Sequence, residues 1–225
     1  MGYKVDKKKI YDYIDNGLKD KGYHLQTTSK KFKKDMVDFF DFPEARDFRC
    51  LELGFWRGYT SVILAQIFGH VTSVDINDGS KITKESEKFS NLEYLYPYDV
   101  YLNRLNPKEV PVIWKDVLNN KTFNVFLIDC VHDYAHFHSD IQRSIAVSDI
   151  SQPVYFIVDD FGTSINDNRT ENWDGSINLY VKENLLKANK GMSIVARLGL
   201  SEGDIYHEER KPLRDSEGVI IKWEI

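Results

Sequence analysis

Five short apolar runs, each about the length of a strand, constrain this chain more than any other feature. They are Cys50 to Leu53, His70 to Asp75, Val110 to Trp114, Asn124 to Asp129 and Val154 to Asp160. Strands that read as near-continuous apolar segments are those covered on both faces, and this is the habit of parallel sheets. Helical stretches lie between them, clearest at Thr60 to Phe68 and His138 to Val147. The tail adds a helix over Ile177 to Leu186 and two more strands, Ser193 to Leu198 and Val219 to Trp223. The pattern predicts a doubly wound α/β fold: a mostly parallel, seven-stranded sheet with helices on both faces.

The residues before the first strand differ. Ile10, Tyr13, Ile14 and Leu18 fall at helical spacing, as do Phe32, Met36, Phe39 and Phe40, with Thr28 or Ser29 placed to cap the second helix. They predict a short helical flank or lid over 1–47, without obvious chemistry, ahead of one domain over 48–225. The run Lys30-Lys31-Phe32-Lys33-Lys34 reads as one solvated helix face.

Composition excludes several classes. A chain of 225 residues, 42% hydrophobic, can bury one sizeable core. No apolar run approaches the length of a membrane span, and the charged start has no apolar core of a secretory signal. A formal net charge of -5 makes a poor coat for a nucleic-acid backbone. The two cysteines, Cys50 and Cys130, are too few for a disulfide framework and read as buried apolar side chains. The expected setting is cytoplasmic, with no nucleic acid or membrane as partner and the oligomeric state open.

Four of the five strands stop at or just before an acid: Asp75, Asp116, Asp129 and the pair Asp159-Asp160. Ligands of open α/β sheets bind outside the carboxyl ends of the strands, so these acids mark the expected site. The segment Glu52-Leu-Gly-Phe-Trp-Arg-Gly58 joins the first strand to its helix, with a tight turn expected at Gly54 and a close backbone approach at Gly58. Asp75 follows about 20 residues on, where a carboxylate grips two ribose hydroxyls. A dinucleotide loop needs glycine between these two so that the backbone can reach the pyrophosphate; Trp56 stands there instead. No phosphate loop of the Walker type is present. A nucleoside without phosphates fits better, namely S-adenosylmethionine (SAM), whose positive charges Glu52 would complement.

The segment ELGFWRGYTSVILAQIFGHVTSVDIN resembles the first motif and following strand of class I SAM-dependent methyltransferases, which have a Rossmann-like fold. FLIDCVHDYAHFHSDIQ followed by VYFIVDDFG is similar to small-molecule methyltransferases of the class 24 type and to metal-dependent macrolide-sugar O-methyltransferases. The likeness covers roughly 48 to 165. It implies methyl transfer to a hydroxyl of a sugar or glycan, with a phenol or other small metabolite, or SAM binding without catalysis, as the alternatives. Glu52, Gly54, Gly58, Tyr59, Thr60, Asp75, Asp116 and Asp129 would hold the cofactor, with Asp116 at the adenine amino group.

A sugar hydroxyl is too weak an acid to ionise unaided, so a general base or a divalent cation must help. Asp129, Asp159 and Asp160, on adjacent strand ends, would make an oxygen-rich site for Mg²⁺ or Mn²⁺, and three crowded acids need a cation to offset their repulsion. The resemblance gives His132 the role of base, with Asp129 beside it in the catalytic pair, although the sugar enzymes can carry Glu where Asp159 stands. The polar stretch Thr163 to Trp173 is placed to bind the acceptor.

Overall fold

A computed structural model describes residues 5–17, 28–75, 79–95, 110–130, 134–161, 177–178, 180–199 and 217–224. The described elements begin with α1 (Lys7–Asp12), which runs into a π-helical turn, and α2 (Lys30–Phe39). Then come β1 (Arg49–Leu53), α3 (Tyr59–Ile67), β2 (His70–Val74), β3 (Leu92–Leu95), α4 (Val110–Val117), β4 (Val125–Ile128), α5 (Tyr134–Ala146) and β5 (Val154–Val158). A π-helical turn over Val181–Leu185 leads into α6 (Leu186–Ala188), and β6 (Met192–Leu198) and β7 (Gly218–Trp223) close the chain.

The seven strands form one sheet in the order β3-β2-β1-β4-β5-β7-β6. The first five are parallel, and β7 lies antiparallel to both β5 and β6. The chain leaves β1 towards β2 on one side and takes up β4 on the other, so the strand order reverses beside β1. A crevice opens at such a reversal.

Alternation along each strand divides the interior into two apolar layers. Leu51, Leu53, Phe126, Ile128, Phe156 and Val158 pack on one face with Trp114, Phe137 and Ile141. Cys50, Val125, Leu127, Tyr155 and Ile157 pack on the other with Phe32, Met36, Val37 and Phe40 of the α2 region and Ile63, Leu64 and Ile67 of α3. Ser29 caps α2, its hydroxyl accepting the Phe32 N–H at 3.0 Å. No described helix is long and apolar enough to cross a membrane.

Two sequence expectations are corrected. Val110 to Trp114 is the start of helix α4, and the third strand is Leu92–Leu95. A five-residue apolar run does not by itself distinguish a strand from a buried helix turn. Here the apolar spacing continues: Trp114 and Leu118, four apart, are both buried. The true third strand was hidden because it is an edge strand, half-buried throughout, whose Glu93 interrupts the apolar pattern. The basic run is not one solvated face either. Lys33 is fully buried, because it shares the inward stripe of α2 with Val37 and Phe40.

Candidate functional site

The carboxyl ends of β2, β1, β4 and β5 lie level, and backbone hydrogen bonds continue one residue past each strand. Gly54 N–H donates to Val74 at 2.9 Å, Asp129 N–H to Leu53 at 3.0 Å, and Asp159 N–H to Ile128 at 3.2 Å. Gly54, Asp75, Asp129 and Asp159 therefore stand in a row across the edge where the strand order reverses. Asp160 follows with a φ of 55°, a left-handed conformation that aspartate tolerates better than most residues.

The loop from Gly54 to Gly58 is held from several sides. Asp75 Oδ2 accepts the Trp56 N–H at 2.7 Å, tying the loop to the end of β2. Trp56 itself is left-handed, with a φ of 47°, and the Arg57 guanidinium lies 4.3 Å from its ring centroid. The Phe55 ring packs edge-on against Tyr94 of β3, 4.7 Å between centroids.

The two glycines divide their work differently from the expectation. Gly54 has both the positive φ, 88°, and the close approach: a Cβ there would lie 2.0 Å from the Asp129 carbonyl oxygen. Gly58, with a φ of 74°, precedes the first turn of α3, and its Cβ would meet the Tyr94 hydroxyl. Tyr59 and Thr60, the first residues of α3, are buried, and no side chain caps the helix. The positive end of α3 follows directly on the loop, a setting that favours a carboxylate.

Glu52 is fully buried on β1, beneath the loop. Its Oε2 accepts hydrogen bonds from Ser61 of α3 and Ser73 of β2, while Oε1 is buried without a hydrogen-bond partner. Burial pushes its carboxyl up to about 7, against the two serine hydrogen bonds, with Asp129 and Asp75 pushing the same way as burial.

Residue 52 shares the α2/α3 face of the sheet with Cys50, and Asp129 and Asp159 continue the same alternation from Leu127 and Ile157. Lys33 reaches this face from α2. Its Nζ donates to the Thr28 carbonyl at 2.6 Å and to the Thr28 hydroxyl. Burial pushes the amine down to about 8, against the fields of Glu217, Asp129, Asp159 and Glu52, which favour its charged form. Glu217 immediately precedes β7, and its Oε1 accepts the Ser29 N–H at 2.6 Å. Burial raises its carboxyl, opposed by the Ser29 hydrogen bonds and the charge of Lys33.

Sequence reasoning missed Lys33, Glu217 and Tyr94. Only Lys33 left a legible signal, through its place on the apolar stripe of α2. The flank assigned no chemistry therefore sends a charged group to the site.

Three other expectations fare differently. Asp116 lies in the last turn of α4, not at a strand end, so the reason for placing it at the site falls with the strand. His132 and the stretch Thr163 to Trp173 lie outside the described residues. Among the described residues no three His, Cys, Asp or Glu side chains are gathered so as to hold a metal ion, so the expected site at Asp129, Asp159 and Asp160 gains no support.

A parallel sheet with a glycine loop after β1, an acid after β2 and further acids after β4 and β5 defines an open α/β architecture whose ligand crevice lies at the carboxyl edge. Comparison with solved structures narrows it. A cofactor-bound protein from MTB, Rv0187, is 12% identical, with a TM-score of 0.57 over 96% of this chain and 87% of that one. An O-methyltransferase from Bacillus cereus in complex with SAH is 15% identical, with a TM-score of 0.56 over 95% and 90%. TomG from Streptomyces achromogenes, an O-methyltransferase involved in tomaymycin synthesis and solved with SAM, is 10% identical, with a TM-score of 0.54 over 100% and 92%. The chain thus has the fold of class I methyltransferases. No family model and no curated protein matches the sequence.

Proposed function

We propose that the protein is a SAM-dependent O-methyltransferase acting on a hydroxyl of a small polyhydroxylated acceptor, a sugar or glycan. The observation that carries the reading is the loop of Gly54 to Gly58, pinned by Asp75 beside the reversal of strand order at β1. It supports a nucleoside site, and neighbours of the same fold have been solved with SAM or SAH.

The N-terminal turn of α3 would receive the carboxylate of SAM. The free oxygen of Glu52 beneath the loop would favour the donor's positive end. Asp75 would meet the ribose, with Oδ2 kept for the Trp56 N–H. The acceptor would lie over β4 and β5, beside Asp129 and Asp159. Its oxygen attacks the methyl carbon in line as the carbon–sulfur bond breaks, which leaves SAH, and the hydroxyl proton passes to a base. We assign that base to His132, which follows Asp129 by three residues; a positioned base of this kind contributes about 10²- to 10⁴-fold. Metal assistance is not carried into this mechanism, because no metal-binding group is gathered among the described residues.

Calorimetric titration of SAM into wild type and Asp75→Ala tests the cofactor. The expected result is micromolar binding that Asp75→Ala abolishes. Methyl transfer is then assayed on a panel of sugars and phenols, with His132→Ala expected to lose at least 100-fold in kcat. Absence of SAM binding would end the reading; transfer to phenols alone would correct the acceptor.

A further inference from the structure

We propose that Lys33 is the resident cation of the acceptor half of the site, a positioning residue whose buried ammonium neutralises Asp129, Asp159 and Glu217 in the role that a divalent ion fills in other carboxylate-rich centres. The term acceptor half rests on the function proposed above; the charge arrangement does not.

The argument is geometric. Strand alternation brings Glu52, Asp129 and Asp159 from three adjacent strands to one face of the sheet, and Glu217 arrives beside the end of β5 from the antiparallel β7. So many acids at a buried edge repel one another unless a positive charge lies among them. Lys33 is 0% exposed, and the fields of Glu217, Asp129, Asp159 and Glu52 all favour its charged form. Its place is built in. The Thr28 carbonyl and hydroxyl receive its ammonium, and the Ser29 N–H just before α2 binds Glu217. Phe32 packs α2 against the start of β7: a Cβ at Gly218 would lie 2.5 Å from its ring and 2.4 Å from the Val158 carbonyl oxygen. A lysine carried through the apolar stripe of a helix costs desolvation, and a compensating set of buried acids offsets that cost. Fixed in this way, the ammonium places a positive charge on the face of the sheet from which Asp129 and Asp159 extend.

The test replaces the amine with an apolar side chain of similar length. Lys33→Met, Glu217→Gln and the double variant are compared with wild type by thermal melting and by calorimetric titration of Mn²⁺. Removing one partner of a buried ion pair is expected to lower the melting temperature of Lys33→Met by about 10 °C. Glu217→Gln in that background removes one uncompensated acid and is expected to recover part of the loss. Lys33→Met is also expected to gain Mn²⁺ affinity at least 10-fold over wild type, because its carboxylates then lack a counter-ion. Where methyl transfer is measurable, wild type is expected to be indifferent to EDTA, and Lys33→Met to lose kcat while its KM for SAM changes little. Wild type that binds Mn²⁺ more tightly than Lys33→Met overturns the proposal, and so does a double variant no more stable than Lys33→Met. Failure of SAM to bind would overturn the methyltransferase reading alone, since the melting and Mn²⁺ measurements need no cofactor.

Discussion

Replacing Gly54 with alanine tests whether the glycine loop is fixed by its backbone contact with the end of β4. Two costs combine. At a φ of 88° an L-residue pays about 1–2 kcal/mol in left-handed strain. The added Cβ also falls 2.0 Å from the Asp129 carbonyl oxygen and 2.8 Å from its carbonyl carbon. Ordinary contact begins at 3.4 Å, so β1 and β4 must part by more than an ångström at their carboxyl ends. No flexible side chain can yield there, and overpacking of this kind adds about 1–3 kcal/mol. The sum is about 3 kcal/mol, which for a chain of this length lowers the melting temperature by roughly 10 °C. Gly58→Ala provides the contrast, because its Cβ meets the Tyr94 hydroxyl. Tyr94→Phe should therefore rescue part of the Gly58→Ala loss and none of the Gly54→Ala loss. The assay is thermal unfolding followed by circular dichroism, with SAM calorimetry on the variants that remain folded. A Gly54→Ala protein that melts within about 2 °C of wild type would refute the close-approach argument.

Two further outcomes depend on pH. The Glu52 carboxyl is raised from 4.5 to about 7 in the fold, so between those values the folded chain holds a proton that the unfolded chain has released. Stability therefore falls as pH rises through this window, and neutral Glu52→Gln escapes the fall; the gap between the two proteins should move by on the order of 3 kcal/mol in favour of the variant from pH 5 to pH 8. Parallel stability curves in urea at the two pH values would count against this. The Glu93 carboxyl moves the other way: burial raises it, but hydrogen bonds from Lys121, Thr72 and His70 outweigh burial and bring it down to about 2. Its contribution is present above about 4.5 and is lost as pH falls towards 2. The group is 35% exposed, so solvent screening reduces the effect. Glu93→Gln should cost about 1 kcal/mol at pH 7 and almost nothing near pH 2, as measured by urea unfolding.

What the sequence disclosed and what it withheld can be traced residue by residue. Strands β1, β2, β4 and β5 were legible because they are buried on both faces and their apolar runs are continuous. The loop after β1 was legible because a left-handed turn against a neighbouring backbone demands glycine, and Gly54 occupies it. Asp75 was legible by its distance from that loop. The edge strand β3 was not, since an exposed edge relaxes the demand for apolar residues, and the run beginning at Val110 offered a false substitute. Asp116 was misplaced with it.

The amino-acid order by itself thus determined four of the parallel strands and the places of Asp75, Asp129, Asp159 and Asp160 at their carboxyl ends. Both follow from local periodicity and from stereochemical demands that a few residues impose on their own. Only the tertiary structure decided how those acids are balanced. Lys33 and Glu217 are 184 positions apart, and nothing in either local sequence announces the other. They meet because α2 packs across the face of the sheet while β7 returns antiparallel beside β5. The sum of charges was readable from the chain. Which charge lies among which others, in a buried setting where proximity governs the energy, was settled by packing alone.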